Sequence, residues 1–400
     1  MTKEKIEKNS VCIIGGAGHI GLPLGIVFAN SGMATTVLDI NKNNLNKITK
    51  GIMPFKETNG TKELKQALKS KKFIATANPK SISSADFIVL VIGTPIDEHL
   101  NPDFKGIMSL IKKYAAYFKD GQTLILRSTV YPGTSERIQN FFIKKKKKVH
   151  IAFCPERIVE GKALIELKEI AQIVSAFDNK TLEKVAKLFS RITPHIIKTK
   201  QPIEAELAKL FSNSWRYIIF AVANQFYTMA NDKGLDYHAI HKIMTDQYPR
   251  NHALPKPGFA AGPCLFKDTM QLAAFNRNNF MLGHSAMLVN EGLPYFIIQK
   301  LKEEVDLNKK TIGILGMAFK ADSDDNRESL SYKLWKIADT ESKQVFCSDP
   351  YIADTSFISE DELIKKSDIV ILATPHKKYK KINPKKYPYK KFVDIWGYWE

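Results

Sequence analysis

The sequence contains no apolar run approaching the ~20 residues that a membrane-spanning helix requires, so no membrane partner is expected. Its opening residues, Met1 to Ser10, are polar and lead straight into an apolar stretch, which predicts no export signal. Cysteine is scarce. Cys12, Cys154, Cys264 and Cys347 are the only four, widely separated and without a C-x-x-C pair. That spacing argues against a zinc site or a disulfide framework, and no metal is expected. Together with the missing export signal it points to a reducing, cytoplasmic setting. At most one of the four then needs a chemical explanation. Acidic residues are outnumbered, 41 Asp+Glu against 60 Lys+Arg, for a formal charge of +19. Such an excess can serve nucleic acid or an acidic membrane, or steer a small polyanion into a cleft. Much of it is lysine in solvated positions, as in Lys144 to Lys148, and no helix-turn-helix pattern supports a nucleic-acid partner.

What the chain does have is alternation. Val11-Cys12-Ile13-Ile14 is followed by a glycine turn, a helical stretch from Leu22 to Ser31, and a second strand from Ala34 to Ile40. Apolar runs at Phe87–Ile92, Thr123–Leu126 and Val149–Phe153 alternate with further helical stretches. This is the β-α-β pattern of a parallel, doubly wound sheet with both faces covered. Near residue 200 the character changes: Pro202 to Lys233 has helical periodicity without internal Gly or Pro. Helical stretches continue to about residue 305, broken by a Pro/Gly-rich loop from Pro249 to Pro263. A second β-α-β region opens at Thr311-Ile312-Gly313-Ile314-Leu315-Gly316 and ends in a short strand, Phe392–Ile395. The expected class is therefore α/β: two Rossmann-like domains, 1–200 and 306–400, joined by a central helical region, 201–305.

The first glycine turn carries a cofactor signal. Gly16-Ala17-Gly18-His19-Ile20-Gly21 fits G-x-G-x-x-G between a strand and a helix. The first glycine makes the turn, the second admits a pyrophosphate to the backbone, and the third lets the helix pack closely. The helix N-terminus adds positive potential. Asp39 ends the next strand, where a carboxylate can take the adenosine ribose hydroxyl, which predicts NAD rather than NADP. His19, inside the motif, reads as loop packing rather than an acid-base group.

Four later segments stand out: Arg127-Ser128-Thr129-Val130-Tyr131-Pro132-Gly133; Cys154-Pro155-Glu156-Arg157-Ile158-Val159-Glu160-Gly161; Glu204 to Asn213 on the long helix; and Pro257 to Asp268, which contains Cys264. With Gly316-Met317-Ala318-Phe319-Lys320-Ala321-Asp322 and the following Asp324 to Ser329, they resemble, in order, the motifs of the UDP-glucose/GDP-mannose dehydrogenase family. The resemblance covers nearly the whole chain. It implies an NAD-dependent enzyme that oxidises a nucleotide-sugar alcohol twice, to an acid, for surface polysaccharide synthesis.

The chemistry of the residues agrees. A four-electron oxidation must trap the aldehyde as an adduct that can give up a second hydride, and a cysteine thiolate does so through a thiohemiacetal and a thioester. Cys264 lies in a loop before a helix, where N-terminal amides stabilise a thiolate; Cys12 and Cys347 lie in apolar strands. Lys209 and Asn213, four apart, share a helix face and can donate to an oxyanion, the role their counterparts have in the family. The resemblance further implies that Asp268 acts with Thr129 and a water in the first proton removal, and that Glu156 is the base for thioester hydrolysis, with Glu160 beside it. It places Thr94-Pro95 and Thr129 against the dinucleotide together with the Gly16 to Gly21 turn, His19 and Ile20 included. Lys320 and Arg327 would meet phosphates of substrate or cofactor. Phe259 and Gly262 would line the sugar site, and Arg250 would reach a neighbouring subunit's sugar, making a homodimer or larger homo-oligomer functional.

Departures fall at the nucleophile. Many UDP-glucose enzymes read Gly-Gly-Ser-Cys-Phe-Pro-Lys-Asp and many N-acetylhexosamine enzymes Gly-Gly-His-Cys, against Gly262-Pro263-Cys264-Leu265-Phe266-Lys267-Asp268 here. The glycine turn and Asn101-Pro102-Asp103 lean toward the N-acetylhexosamine branch, and Lys267-Asp268 toward the glucose branch. Two alternatives stand beside this reading: a two-electron dehydrogenase of the hydroxyacid type, which would need no cysteine, and a non-enzymatic NAD or nucleotide-sugar binder.

Overall fold

The computed structural model describes residues 10–94, 97, 104–260 and 262–399, with backbone alone at 104 and 105. Pro95, the triplet 101–103 and Ala261 lie outside the described residues. The chain forms two compact units, 1–211 and 212–400.

Among the described residues the first unit has eight strands: β1 (Ser10–Ile14), β2 (Ala34–Leu38), β3 (Phe73–Thr76), β4 (Phe87–Leu90), β5 (Thr123–Leu126), β6 (His150–Phe153), β7 (Gln172–Ala176) and β8 (Ile196–Thr199). Their order is β3-β2-β1-β4-β5-β6-β7-β8. Alternate residues of the central strands enter two separate cores. Val11, Ile13, Val37 and Val89 belong to one, and Cys12, Ile14, Leu38 and Leu90 to the other. The two-residue period of a strand puts these on opposite faces, so both faces are dry. Helix α1 (Gly21–Asn30) is buried from Gly21 to Ala29, as expected of a helix whose sequence is apolar on every side.

The sheet departs from the all-parallel expectation at one pair. β6 and β7 run antiparallel, through Ala152↔Ala176 and Phe153↔Ser175. Residues 154–171 contain only one short helix, Ala163–Glu169, and turn back at the same end of the sheet instead of crossing to the other. Glu156 and Glu160 are thereby held above the carboxyl end of β6.

Helix α2 (Thr134–Lys144) follows β5, and helix α3 (Pro202–Asp232) is a single rod of 31 residues, roughly 46 Å at 1.5 Å per residue. The division between the units falls inside α3. The second unit adds α4 (Leu265–Phe275), α5 (Met281–Glu304) and a sheet of β9 (Thr311–Leu315), β10 (Gln344–Ser348), β11 (Ile369–Leu372) and β12 (Lys391–Asp394), with α6 (Leu330–Glu341) between β9 and β10. The strand order is β10-β9-β11-β12, all parallel. In both sheets the chain winds away from the first strand in two directions, and the crevice this opens at the carboxyl ends is where such folds bind ligands. The architecture is thus two Rossmann-like sheets connected through a helical region.

Candidate functional site

In the first unit the glycine turn leaves β1 directly into that crevice. Gly15 has φ +80°, and a Cβ there would lie 1.7 Å from the Val91 carbonyl oxygen. A Cβ on Gly16 would strike Val37, and one on Gly21 would strike Gly15 and Gly16. Gly18 differs: its Cβ would meet nothing closer than the Gly15 oxygen at 3.6 Å. The protein itself does not require glycine at 18, but a pyrophosphate lying against the backbone would. The following α1 has no side-chain cap and no acidic residue in its first turn, so its positive end is uncompensated. Asp39 closes the cradle. One carboxylate oxygen accepts the Ala17 N–H (2.9 Å) and the other the Asn41 N–H (2.9 Å), and the side chain is half-buried. These residues fit a dinucleotide, with the carboxylate set for the ribose. His19 packs on Phe55, ring centroids 4.2 Å apart. The Thr94 hydroxyl donates to the Thr129 carbonyl (2.7 Å), tying the ends of two neighbouring strands together.

The second sheet repeats this plan with a different ending. Gly316 (φ +92°) makes the turn after β9, and Asp349 follows β10 as Asp39 follows β2. The Asp349 side chain is fully buried. Its Oδ2 accepts N–H groups from Met317 (2.7 Å) and Ala318 (3.0 Å), and its Oδ1 those of Tyr351 and Ile352. The buried ring of His376 approaches Oδ2 through Nε2 (3.0 Å) and accepts the Asp322 N–H at Nδ1 (2.9 Å). Burial alone would raise the Asp349 carboxyl, but these hydrogen bonds outweigh it and hold it below the usual carboxylate range.

Cys264 is the N-terminal cap residue of α4 and the only exposed cysteine. Burial pushes the Cys12 thiol up to about 11 and the Cys154 and Cys347 thiols up to about 12. One turn beyond Cys264, Asp268 is fully buried in the first turn of α4 and gives its N–H to the Cys264 carbonyl (2.9 Å). Its carboxylate takes Asn213 Nδ2 at 2.6 Å and Lys267 Nζ at 2.6 Å. The structure thus brings Asn213 of α3 and Asp268 together, as two buried polar groups that satisfy each other. Asn213 has a second amide hydrogen to give. Lys209 lies one turn earlier on α3 and is half-buried.

Thr129 and Glu156 belong to the first unit. Glu156 pairs with Arg127, which is buried and also donates to Gln172 (2.7 Å) and to the Cys154 carbonyl (3.3 Å). The other Glu156 oxygen accepts the N–H groups of Arg157 (2.7 Å) and Ile158 (2.9 Å). Gln172 opens β7, so that strand does not begin as an apolar run. Glu160 sits beside Gly161, whose carbonyl accepts from Thr58.

The remaining candidates are scattered in the second unit. Phe259 is buried in a core cluster with Tyr237 and Ile395. Gly262 has φ +98° and donates to the Glu328 carbonyl (3.0 Å); a Cβ there would collide with the Phe319 ring. Gly262 and Phe266 line a cleft of about 470 Å³ shared with Glu328, Tyr332 and Lys333. Arg327 forms a pair with Asp325, and Lys320 lies over the Phe319 ring at 5.3 Å. Arg250 is exposed, over Tyr248.

One positioning group had no role in the sequence reading. Glu206, buried on α3, accepts the N–H of Gly133 (2.6 Å) and both the N–H (2.9 Å) and hydroxyl (2.6 Å) of Ser135. It therefore caps α2 and anchors the loop that begins at Thr129. Its spacing from Lys209 and Asn213, three and seven residues, is the signal that could have found it.

An open dinucleotide cradle on one sheet and a closed counterpart on the other are the arrangement of an NAD-dependent dehydrogenase built from two nucleotide folds. The chain belongs to the UDP-glucose/GDP-mannose dehydrogenase family: residues 9–193 match its NAD binding domain, 203–291 its central domain and 313–399 its UDP binding domain. A UDP-N-acetyl-D-mannosamine dehydrogenase of Methanocaldococcus jannaschii is 28% identical over 387 residues, 94% of this chain and 88% of that one. The structure of a UDP-D-ManNAc dehydrogenase from Pyrococcus horikoshii superposes with a TM-score of 0.88 at 26% identity, covering 94% of this chain and 92% of that one. A UDP-glucose dehydrogenase from Pyrobaculum islandicum, at 21% identity, has the same fold, with a TM-score of 0.89 and 99% of each chain covered. Among the described residues no helix is long and apolar enough to cross a membrane, and no cluster of His, Cys, Asp and Glu could hold a metal.

Proposed function

We propose that the protein oxidises the C6 alcohol of a UDP-sugar to the uronic acid, in two hydride transfers, through covalent intermediates on Cys264. The observation that carries this reading is the position of Cys264: exposed, at the start of α4, one turn from the buried Asp268–Asn213 pair. NAD, which the Gly16 to Gly21 turn and Asp39 would hold, would supply the hydride acceptor, one NAD molecule for each of the two oxidations. Asp268, with Thr129 and a water, takes the alcohol proton as the first hydride leaves and an aldehyde forms. The Cys264 thiolate adds to the aldehyde carbon; Lys209 and the second amide hydrogen of Asn213 stabilise the alkoxide of the thiohemiacetal. Loss of the second hydride turns this adduct into a thioester. Glu156 draws a proton from the water that attacks the thioester carbonyl, releasing the carboxylate and the thiol. Lys320, Arg327, Glu160, Phe259 and Gly262 are assigned to substrate and cofactor contacts, with the three segments 1–200, 201–305 and 306–400 as cofactor, central and UDP-sugar parts. The acid would serve surface polysaccharide synthesis in the cytoplasm.

The similarity to UDP-N-acetyl-D-mannosamine dehydrogenases makes UDP-N-acetylhexosamines the first sugars to test. The experiment is NADH release with UDP-glucose, UDP-N-acetylglucosamine, UDP-N-acetylmannosamine and UDP-N-acetylgalactosamine, on wild type and on Cys264→Ala. Two NADH per sugar, abolished by the substitution, is the expected result. One NADH per sugar with an active variant would sink the thioester scheme.

A homodimer is part of the same proposal. Trp215, Val222, Phe226 and Met229 are all exposed, and at 100° per residue they fall within about 60° of one another on α3. A continuous apolar stripe opposite the buried face of a long helix suits packing against a second copy. Arg250, also exposed, is then available to a partner's sugar.

A further inference from the structure

Residues 252–264 bring the chain to the nucleophile, and no described residue among them belongs to a helix or strand. A loop of this kind can present a thiol reproducibly only if its backbone is fixed from outside. One side chain grips it at both backbone polar groups of a single residue. Asn224 of α3 donates from Nδ2 to the Gly258 carbonyl (3.0 Å), and its Oδ1 accepts the Gly258 N–H (2.8 Å). The second Nδ2 hydrogen goes to Asn290 Oδ1 on α5 (2.9 Å), and Asn290 Nδ2 donates to the Tyr217 carbonyl (3.1 Å). Both asparagines are fully buried.

The geometry leaves little choice of residue. The site demands two donors and one acceptor at one planar group, which the amide supplies. Leucine would strand the Gly258 N–H and carbonyl and Asn290 Oδ1 in a dry core. A carboxylate would lose both donors. From the other side Gly258 lies against Trp396, so close that a Cβ would be 2.3 Å from its ring. The indole is itself fixed by a bond to the Ala373 carbonyl (3.1 Å). Gly258 is thus held between an amide and an indole, six residues before Cys264. Gly262 is tied to Glu328 between them.

We infer that Asn224, braced by Asn290, is a positioning residue that fixes the loop carrying Cys264 in register with the start of α4. It touches no reacting atom and acts through Gly258. The inference rests on the reading of Cys264 as nucleophile, and its test is built so that the two can fail separately.

The test uses the full-length Asn224→Ala and Asn224→Asp variants, with thermal melting and circular dichroism to establish that they fold. Three quantities are read: kcat on the best sugar of the panel, the Kd for NAD, and the rate at which iodoacetamide alkylates Cys264. With Asn224→Ala, kcat falls about 100-fold, as for a reacting group displaced by about 1 Å, while the Kd for NAD stays unchanged. Alkylation slows by about two- to fivefold, the size of a helix N-terminus effect on a thiolate. Asn224→Asp carries an internal control. Its buried carboxyl has a raised pKa, and once protonated it offers one donor and one acceptor to Gly258. Its kcat relative to wild type therefore recovers between about pH 8 and about pH 6, the range in which a buried carboxyl titrates.

A folded Asn224→Ala protein with kcat and alkylation rate within about twofold of wild type, less than one helix-end effect, overturns the inference. A flat pH ratio for Asn224→Asp overturns it equally. If Asn224→Ala does not fold, Asn290→Ala, which removes only the brace, takes its place, and a folded protein with unchanged kcat and alkylation then decides against. Retention of two NADH per sugar by Cys264→Ala would instead remove the proposed chemistry, whatever Asn224 does.

Discussion

Alkylation of the native protein by iodoacetamide near pH 7 should place one adduct on each chain, on Cys264, and turnover should fall in step with it. The selectivity follows from the three other thiols. A thiol at about 11 is ionised to ~10⁻⁴ at pH 7, and one at about 12 to ~10⁻⁵, whereas an ordinary exposed thiol is ionised to a few per cent. Cys12, Cys154 and Cys347 are thus slower by at least ~100-fold before access is counted, and all three are buried in the packed cores. The assay is intact mass with time, peptide mapping of the adduct, and residual NADH release on the same aliquots. Saturating sugar should protect. Cys264→Ala should take up no label in the time that modifies wild type fully, and unfolding in urea should expose four sites in wild type and three in the variant. Two results would refute the reasoning: a second adduct forming at a comparable rate, or complete modification of Cys264 with turnover intact.

Asp39→Asn should weaken NAD by roughly 10- to 100-fold, the 1.5–3 kcal/mol of hydrogen bonds to a charged acceptor, and narrow the preference over NADP; a fluorescence titration showing an unchanged Kd would contradict the ribose assignment. Phe226→Glu should convert a dimer into a monomer in sedimentation velocity at equal concentration, and a wild-type monomer under those conditions would remove the stripe's assignment to a second copy. Asp349, held below its unfolded value, contributes stability that is complete above about pH 4 and is lost as pH falls through its folded value. Asp349→Asn should therefore lower Tm at neutral pH, and the gap from wild type should close on acidification below about pH 4; a gap independent of pH would show that charge is not the cause.

How much of this was legible in the sequence depended on what kind of signal each part sends. Interior strands such as β1, β4 and β5 are short apolar runs and could be read directly. β3 and β8 are edge strands with mixed burial, and β7 is interrupted by Gln172 and Ser175, so none of the three announces itself. The reversal between β6 and β7 depends on which end of the sheet a connection returns to, and composition carries no trace of that. In the candidate site, glycine spacing and Asp39 were legible because local geometry dictates residue type. The Asn213–Asp268 bond was not, since it joins positions 55 apart and each residue alone looks like any helical polar residue. Glu206 and Asn224 escaped for the same reason: their work is done on backbone groups of distant loops, which leave no mark in the side chains they hold.

The two sheets share one local design and use it for opposite ends. In each, a left-handed glycine leaves the first strand, packing against the chain just past a neighbouring strand, Val91 in one case and Thr374 in the other. In each, a carboxylate after the second strand accepts from the turn, one N–H in the first sheet and two in the second. The first turn continues through Gly18, where a ligand can lie against bare backbone, and Asp39 keeps part of its surface in solvent. The second continues through Met317 and Ala318, both buried, and the Asp349 side chain has no surface left. Four backbone N–H groups and the His376 ring use up its lone pairs, so a ribose hydroxyl would have to displace a bond already made in a dry site. The second turn is therefore closed to a dinucleotide by its own hydrogen bonds. What it gains is rigidity: His376 reaches from Asp349 to the Asp322 N–H and fixes the segment between, which carries Lys320. The acidic position proposed to read a ribose in the first unit is filled in the second by the footing for a lysine proposed to meet a diphosphate. On the proposed assignments, a half-buried carboxylate leaves the first turn open to NAD, and a buried one closes the second turn to it.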